Sequence, residues 1–254
     1  MTPAANASEV PLDEQECIGS AHVPGGVELR LFRHGDEFTI ALRGNELMSS
    51  RASASEVALA TMTSDRLGPL AQQDWLIGGY GMGFTLRAAL AVLGGDACLT
   101  VAELVPEIIE WARGPMHALT NGCLDDDRVM LVGADVATLI DAATDGYDAI
   151  LLDVDNGPEG LTRAANDELY TDAGLLAARK ALRPDGILAV WSAESDDHFA
   201  QRLRAAGFEV EEVGVEDGFP GDSDTHVLWF ARKQDVLLQG AASPDDALAV
   251  ASAH

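Results

Sequence analysis

The sequence is poor in basic residues. Lysine and arginine number 16 against 42 aspartates and glutamates, which gives a formal net charge of −26 over 254 residues. Because proteins bind nucleic-acid phosphates through Lys and Arg, and anionic membranes attract basic segments, we expect neither a nucleic-acid nor a membrane partner. The acidic excess is compatible with a cationic small molecule, although a solvated, self-repelling surface explains it more simply.

Cysteines and long apolar runs are also few. The three cysteines, Cys17, Cys98 and Cys123, form no CxxC motif and cannot make a complete disulfide framework, so a reducing compartment fits best. The first twenty residues lack a basic segment followed by an apolar run. No stretch reaches the roughly 18–20 apolar residues of a membrane helix. We therefore expect a cytoplasmic protein.

The sequence lacks the common motifs of metal and serine chemistry. Its six histidines are scattered, without an HxxxH pair or a neighbouring cysteine, so we predict no metal site. No G-x-S-x-G nucleophile motif occurs. We interpret His226, near the last predicted strand, as a core or loop residue and not as a base.

The sequence does contain a regular alternation of apolar strands and helices from Asp74 onward. Hydrophobic residues make up 47% of the chain, which is enough for a core. Such alternation is typical of an α/β fold, with a doubly wound, mostly parallel sheet. The seven predicted strands cover 75–77, 98–102, 129–132, 147–152, 187–191, 208–213 and 225–230. Helices are predicted at 84–93, from Pro106, and at 136–143, 169–182 and 196–206, with a long loop at 216–224.

The residues outside this alternation divide the chain further. Two short strand-like runs, 27–32 and 38–42, flank a turn at 33–36 and predict a β-hairpin. A mixed apolar face predicts a helix over 54–67. The predicted organisation is a tail (1–20), a small N-terminal β-hairpin region (21–50), the α/β catalytic domain (51–233) and a second tail (234–254).

The first strand of the alternation ends in a glycine-rich loop, GGYGMG. Its glycines are Gly78, Gly79, Gly81 and Gly83. Glycine lets the backbone approach a ligand closely, and the following helix offers free N–H groups, although a tight structural turn would explain the glycines equally well. The third glycine of the NAD fingerprint would fall on Phe84, so the spacing disfavours a nicotinamide oxidoreductase and fits an adenosylmethionine-type loop better.

Acids follow the next three strands. Glu103 lies twenty residues after Gly83, at about the distance where dinucleotide-type sites hold ribose hydroxyls. Asp135 follows the third strand, and Asp153 and Asp155 follow the fourth. Since the carboxyl ends of parallel strands meet at one edge of the sheet, this constellation predicts a ligand site there. The alternatives are that Glu103 favours a helix dipole and that Asp155 forms a turn.

These residues carry a resemblance to a known family. The stretch from Asp74 to about Lys233 resembles the spermidine synthase family, within the class I methyltransferase-like, Rossmann-like fold. The matching segments are LIGG (76–79), VAEL (101–104), GAD (133–135), YDAILLD (147–153), ELY (168–170) and LRPDG (182–186). The hairpin before residue 45 also looks like the small N-terminal β domain of that family.

The resemblance implies a nucleoside cosubstrate, either S-adenosylmethionine or its decarboxylated form. By the same resemblance, Glu103 holds the ribose, Asp135 the adenine amino group, and Asp153 is the acid beside the reacting sulfonium. Tyr170 lines the acceptor side by this analogy. Dimers are common in the family, so a homodimer is one assembly to expect.

The sequence departs from the family pattern on the polyamine side. Members that transfer aminopropyl groups usually have GGGDGG in the first loop, where the aspartate grips the ammonium of the aminopropyl arm; here Tyr80 and Met82 occupy this region. The family's Asp-x-x-Asp-Pro motif appears as DVDNG at 153–157. Of the Tyr-x-Glu before the first core helix, only Glu56 is retained.

These departures favour a transferase that moves a methyl group from S-adenosylmethionine to a small acceptor. For an amine acceptor, Asp153 or Asp155 would orient the amine and take its proton. Tyr80 either covers the ligand or packs on the sheet. The alternatives are a polyamine aminopropyltransferase that uses decarboxylated S-adenosylmethionine, and a non-catalytic nucleoside-binding scaffold.

Overall fold

The N-terminal part forms a four-stranded antiparallel sheet. The computed structural model describes residues 10–24, 27–154, 166–219 and 222–234. The strands, in sheet order, are β1 (Glu16–Val23), β2 (Val27–His34), β3 (Glu37–Leu42) and β4 (Asn45–Ser49). The predicted hairpin is therefore present as β2 and β3, with one further strand on each side.

Residues 16–20 correct the prediction of an N-terminal tail over 1–20. They lie in β1, which pairs with β2 from Glu16↔Arg33 to Val23↔Val27. This strand buries only alternate residues such as Ala21 and Val23, so it has no apolar run for sequence reasoning to detect. Gly19, also in β1, lies against Trp111: a Cβ there would be 2.6 Å from the indole nitrogen, so glycine lets the sheet approach the α/β domain.

The α/β domain follows with alternating helices and strands. Its helices are α1 (Ala54–Leu67), α2 (Phe84–Val92), α3 (Pro106–Arg113), α4 (His117–Thr120), α5 (Val136–Ala142), α6 (Asp172–Ala181) and α7 (Asp197–Ala205). Its strands are β5 (Asp74–Gly78), β6 (Cys98–Ala102), β7 (Val129–Val132), β8 (Tyr147–Leu152), β9 (Leu182–Ser192), β10 (Phe208–Phe219) and β11 (Asp222–Lys233). None of the helices in the described ranges has the length and apolar character of a transmembrane span.

The seven strands form one sheet in the order β10-β11-β9-β8-β5-β6-β7, which confirms the predicted fold class. The strands from β5 to β9 pair in parallel, and β11 runs antiparallel to both of its neighbours. The strand order reverses between β5 and β8, since the chain goes from β5 outward to β6 and β7 before it returns. Open α/β sheets bind ligands at such a switch point.

Both faces of the sheet are covered by helices. Ile77 and Leu151 point to one face, where they join a core with residues of α1, α2, α3 and the N-terminal sheet. Leu76 and Ile150 point to the other face, where they pack with residues of α5, α6 and α7. Burial on both faces explains why these strands read as continuous apolar runs.

Two predicted boundaries change in the structure. The predicted loop 216–224 is largely strand, since β10 and β11 pair as far as Phe219↔Asp222. The glycine and acidic residues of this segment do not favour a strand locally, which is why the sequence predicts a loop. The predicted helix 169–182 begins only at Asp172, because the Thr171 hydroxyl accepts a hydrogen bond from Gly174 N and caps it there. Of the predicted C-terminal tail, only Gln234 is described.

Candidate active site

A cavity of about 120 Å³ lies at the carboxyl ends of β5, β6 and β8. The N-terminal sheet contributes Leu29, Leu47 and Met48 to its wall. Its acidic lining residues are Glu103, Asp135 and Asp153. A larger depression of about 570 Å³ lies against β2 and β3, away from these strand ends, so it does not gather the predicted residues.

The glycine loop has backbone geometry that other residues rarely adopt. Gly79 has φ +82°, and a Cβ there would lie 2.5 Å from the carbonyl oxygen of Asp153. Gly83 also has φ +82° and is the N-cap residue of α2. The loop thus brings the ends of β5 and β8 close together, and both Gly79 and Gly81 line the cavity.

Glu103 is buried and fastens the loop. Its carboxylate accepts hydrogen bonds from Tyr80 N at 2.9 Å and from Val105 N at 2.7 Å. Burial raises the pKa of Glu103, while these backbone N–H groups oppose the shift. The residue therefore lines the cavity, as its position at a strand end predicts, and its contact with a ribose stays a prediction.

Asp135 occupies the N-cap position of α5. Its Oδ1 accepts a hydrogen bond from Ala137 N at 3.0 Å, which fixes the carboxylate at the cavity wall next to Ala134 and Val136. The expected contact with an adenine amino group also stays a prediction.

Asp153 follows β8 and meets a second carboxyl group. The Thr85 hydroxyl donates to Asp153 Oδ2 at 2.7 Å, and burial raises the pKa of Asp153 against this hydrogen bond. Burial, and next the charge of Asp153, raise the pKa of Glu56 to about 8. Burial therefore favours the protonated form of both acids, and the charge of Asp153 favours it further in Glu56.

The structure does not bring Tyr80 to the cavity. Its side chain is buried, with the hydroxyl 3.3 Å from Thr120 Oγ1 and 3.6 Å from Cys123 Sγ, and burial raises its pKa. The left-handed conformation of its neighbours Gly79 and Gly81 turns the phenol into the core. Of the two readings of Tyr80, the packing role fits this geometry and the ligand-covering role does not.

Tyr170 supports the segment after β8. Its hydroxyl lies 3.5 Å from the carbonyl oxygen of Val154, which lines the cavity, and its ring packs edge-on against Phe199 at 5.6 Å. Its role toward an acceptor stays a prediction. Asp155 lies outside the described residues.

Sequence reasoning missed a buried polar cluster beside Glu56. Ser55, at the start of α1, donates to Asp217 Oδ2 on β10 at 2.6 Å, and Asp217 also accepts from Ala54 N and Ser55 N, each at 3.0 Å. The indole of Trp191 donates to Ser55 Oγ at 2.9 Å. No local signal joins partners that lie about 160 residues apart.

The sheet order and the acids at the strand ends define a Rossmann-like α/β domain of the class I methyltransferase type. No protein-family model matches the chain. The spermidine synthase from Thermotoga maritima has the same fold, with a TM-score of 0.66 at 21% identity, over 85% of this chain and 72% of that one.

Several curated proteins are similar in sequence. Polyamine aminopropyltransferase 1 of Streptomyces coelicolor is 31% identical over 149 residues, 56% of this chain and 27% of that protein. The polyamine aminopropyltransferase of Mycobacterium tuberculosis is 30% identical over 195 residues, 72% of this chain and 35% of that protein. The chain thus spans about a third or less of the length of these relatives. The predicted resemblance to the spermidine synthase family is confirmed.

Proposed function

We propose that the chain transfers an aminopropyl group from decarboxylated S-adenosylmethionine to an amine acceptor. One observation carries the proposal: among the described residues, three carboxylates and no lysine or arginine line the cavity. Such a lining attracts a sulfonium nucleoside with an aminopropyl ammonium and repels the carboxylate of intact S-adenosylmethionine. The names of the relatives, polyamine aminopropyltransferases, support the same choice over methyl transfer.

In this proposal the cavity has two sides. The nucleoside side comprises the glycine loop 78–83, Glu103 and Asp135. The acceptor side comprises Asp153, which lines the cavity, and behind it Glu56 with the buried cluster of Ser55 and Asp217. The ribose and adenine bind at the nucleoside side, and the acceptor amine meets Asp153.

The reaction is a displacement at carbon. The amine nitrogen forms a bond to the aminopropyl carbon while the bond from that carbon to sulfur breaks, which releases methylthioadenosine. A free amine has a pKa near 10, about that of lysine, so it arrives as an ammonium ion and must lose a proton before or during attack. Asp153 accepts this proton, and the site holds the nitrogen in line with the carbon–sulfur bond at about 3–3.5 Å.

Methyl transfer from intact S-adenosylmethionine is the second candidate. One observation favours it: the loop 78–83 carries no acid to grip an aminopropyl ammonium. In the proposed function, the carboxylates that line the cavity take over that task.

The test is calorimetric titration of the full chain with each cosubstrate, followed by mass spectrometry of reactions with a panel of di- and polyamines. We expect tighter binding of the decarboxylated form and an amine product heavier by one aminopropyl group. Asp141→Asn, on the exposed surface of α5, is the control and should match the wild type. Tighter binding of the intact form with methylated products would establish methyl transfer instead. Binding without turnover across the panel would support the scaffold alternative.

A further inference from the structure

The Ser55 hydroxyl lies among three polar side chains. Its oxygen is 2.6 Å from Asp217 Oδ2, 3.0 Å from Glu56 Oε2 and 2.9 Å from Trp191 Nε1. Ser55 is completely buried. A hydroxyl has one proton to donate and two lone pairs that accept, so three neighbours fix its hydrogen bonds completely.

The chemistry of two of these neighbours shows which of them accepts the proton of Ser55 and which donates to one of its lone pairs. The indole N–H of Trp191 can only donate, so it takes one lone pair of Ser55. Asp217 accepts from Ala54 N and Ser55 N, and although burial alone raises its pKa, the hydrogen bonds from Ser55 and these amides make the net shift downward. As a carboxylate, Asp217 takes the single proton of Ser55.

With its single proton directed to Asp217, the nearer of the two carboxyl groups, Ser55 has only its second lone pair left for Glu56. A carboxylate oxygen at 3.0 Å from that lone pair would be repelled, whereas a protonated carboxyl group would donate to it. The burial of Glu56 and its proximity to Asp153 act in the same direction, since both favour the uncharged form.

We propose that Asp217 is a positioning residue that acts through Ser55 to hold Glu56 in its protonated form, so that Asp153 alone presents the negative charge to the acceptor. The acceptor part rests on the proposed function, while the direction of the hydrogen bonds does not. The titratable groups facing this cluster are Asp153 after β8, Asp217 on β10, and His226 on β11. The last lies 3.7 Å from Asp217 and its ring is 4.8 Å from that of Trp191.

The direct test is a pH titration of Glu56 in the ligand-free full chain, monitored by carbon NMR of labelled carboxyl groups. In Asp217→Asn, the pKa of Glu56 should fall by about one pH unit or more, because a like charge is removed and Ser55 can turn its proton toward Glu56. The matched control is Asp196→Asn, because Asp196 caps α7 through His198 N and Phe199 N in the same way. It should lower the melting temperature without moving the Glu56 titration.

Ser55→Ala is a second variant, which leaves Asp217 unaltered. The direction in which it shifts the pKa of Glu56 distinguishes the two possible directions of the hydrogen bond. If Ser55 accepts from Glu56, its removal destabilises the protonated form and the Glu56 pKa falls. If Ser55 donates to Glu56, the pKa rises, and a rise, or an unchanged value in Asp217→Asn, overturns the inference.

An activity readout separates this inference from the proposed function. The pH dependence of kcat/KM for the amine should shift in Asp217→Asn, while the affinity for decarboxylated S-adenosylmethionine stays as in the wild type. If the NMR titrations move as expected and no amine is consumed, the proposed function fails and the positioning role of Asp217 stands.

Discussion

The two sides proposed for the site differ in how their carboxylates are held. On the nucleoside side, Glu103 and Asp135 each accept a hydrogen bond from a backbone amide two residues further along the chain. On the acceptor side, Asp153 and Asp217 accept hydrogen bonds from elements 68 and 163 residues away. Local structure therefore sets much of the nucleoside side, whereas the acceptor side exists only after α1, α2, β8 and β10 have docked.

The largest expected effect separates chemistry from binding. Asp153→Asn removes the proton acceptor, so kcat/KM for the amine should fall by about 10²–10⁴-fold. Affinity for the cosubstrate should change far less, because the nucleoside side is intact, and steady-state kinetics with calorimetry measure the two effects. If cosubstrate affinity and kcat/KM for the amine fell by the same factor, Asp153 would act in cosubstrate binding and not in proton transfer alone.

The converse change should weaken binding. Glu103→Gln removes the charge that faces the cavity and weakens the bonds to Tyr80 N and Val105 N. Since a hydrogen bond to a charged group contributes about 1.5–3 kcal/mol, cosubstrate affinity should fall by about 10–100-fold. Glu110→Gln, on the exposed part of α3, is the control and should bind normally. Unchanged affinity in Glu103→Gln would remove this glutamate from the nucleoside site.

A third variant acts where the two sides meet. In Gly79→Ala, the new Cβ would clash with the carbonyl oxygen of Asp153, and the alanine backbone would have to keep an unfavourable positive φ. The matched control is Gly35→Ala, at φ +61° with nothing within 4 Å, which carries the conformational penalty alone. Gly79→Ala should lose about 1–3 kcal/mol more unfolding free energy than the control, by denaturant titration. Equal losses would show that the two strand ends can move apart without cost.

A further prediction concerns Glu56 and pH. Because its pKa rises from 4.5 to about 8 on folding, its stabilising contribution is complete below pH 4.5 and is lost as the pH rises through 8. In Glu56→Gln this side chain cannot ionise, so the variant does not lose this stability between pH 5 and pH 9 as the wild type does. The melting temperature of the variant minus that of the wild type should therefore be larger at pH 9 than at pH 5, by roughly 2–4 °C for each kcal/mol of unfolding free energy that the wild type loses. Calorimetric scans at both pH values measure this difference, and parallel pH profiles of the two proteins would contradict the raised pKa.

Much of the fold could be predicted because its signals are local. The strands β6, β7 and β8 have the predicted bounds, since each is a short, mostly apolar run. The inner strands β6 and β8 are largely buried, whereas Met130 of the edge strand β7 is exposed. An acid follows each of these strands within three residues, which is how Glu103, Asp135 and Asp153 were predicted as site residues. By contrast, β1 and the outer part of the β10–β11 hairpin are polar or glycine-rich, and only their pairing partners make them strands.

The parts of the site that could not be predicted depend on direction and distance. The ring of Tyr80 turns away from the cavity because its glycine neighbours adopt left-handed φ, which the sequence permits but does not dictate. The contact between Ser55 and Asp217 joins a helix start to a strand 162 residues later. Hydrophobic periodicity carries no information about such a pair.

The capping of α1 by Asp217 also bears on the order of folding. Contacts between residues far apart in the sequence form late, because closing a long loop costs entropy that other contacts must first offset. We therefore expect the amides of Ala54 and Ser55 to exchange their hydrogens with solvent at the rate of the β10–β11 hairpin and not at the rate of the remainder of α1. Hydrogen exchange would test this, and protection of both amides in a folding intermediate that lacks the hairpin would contradict it. If the expectation holds, the nascent fold acquires its nucleoside side first and its acceptor side last.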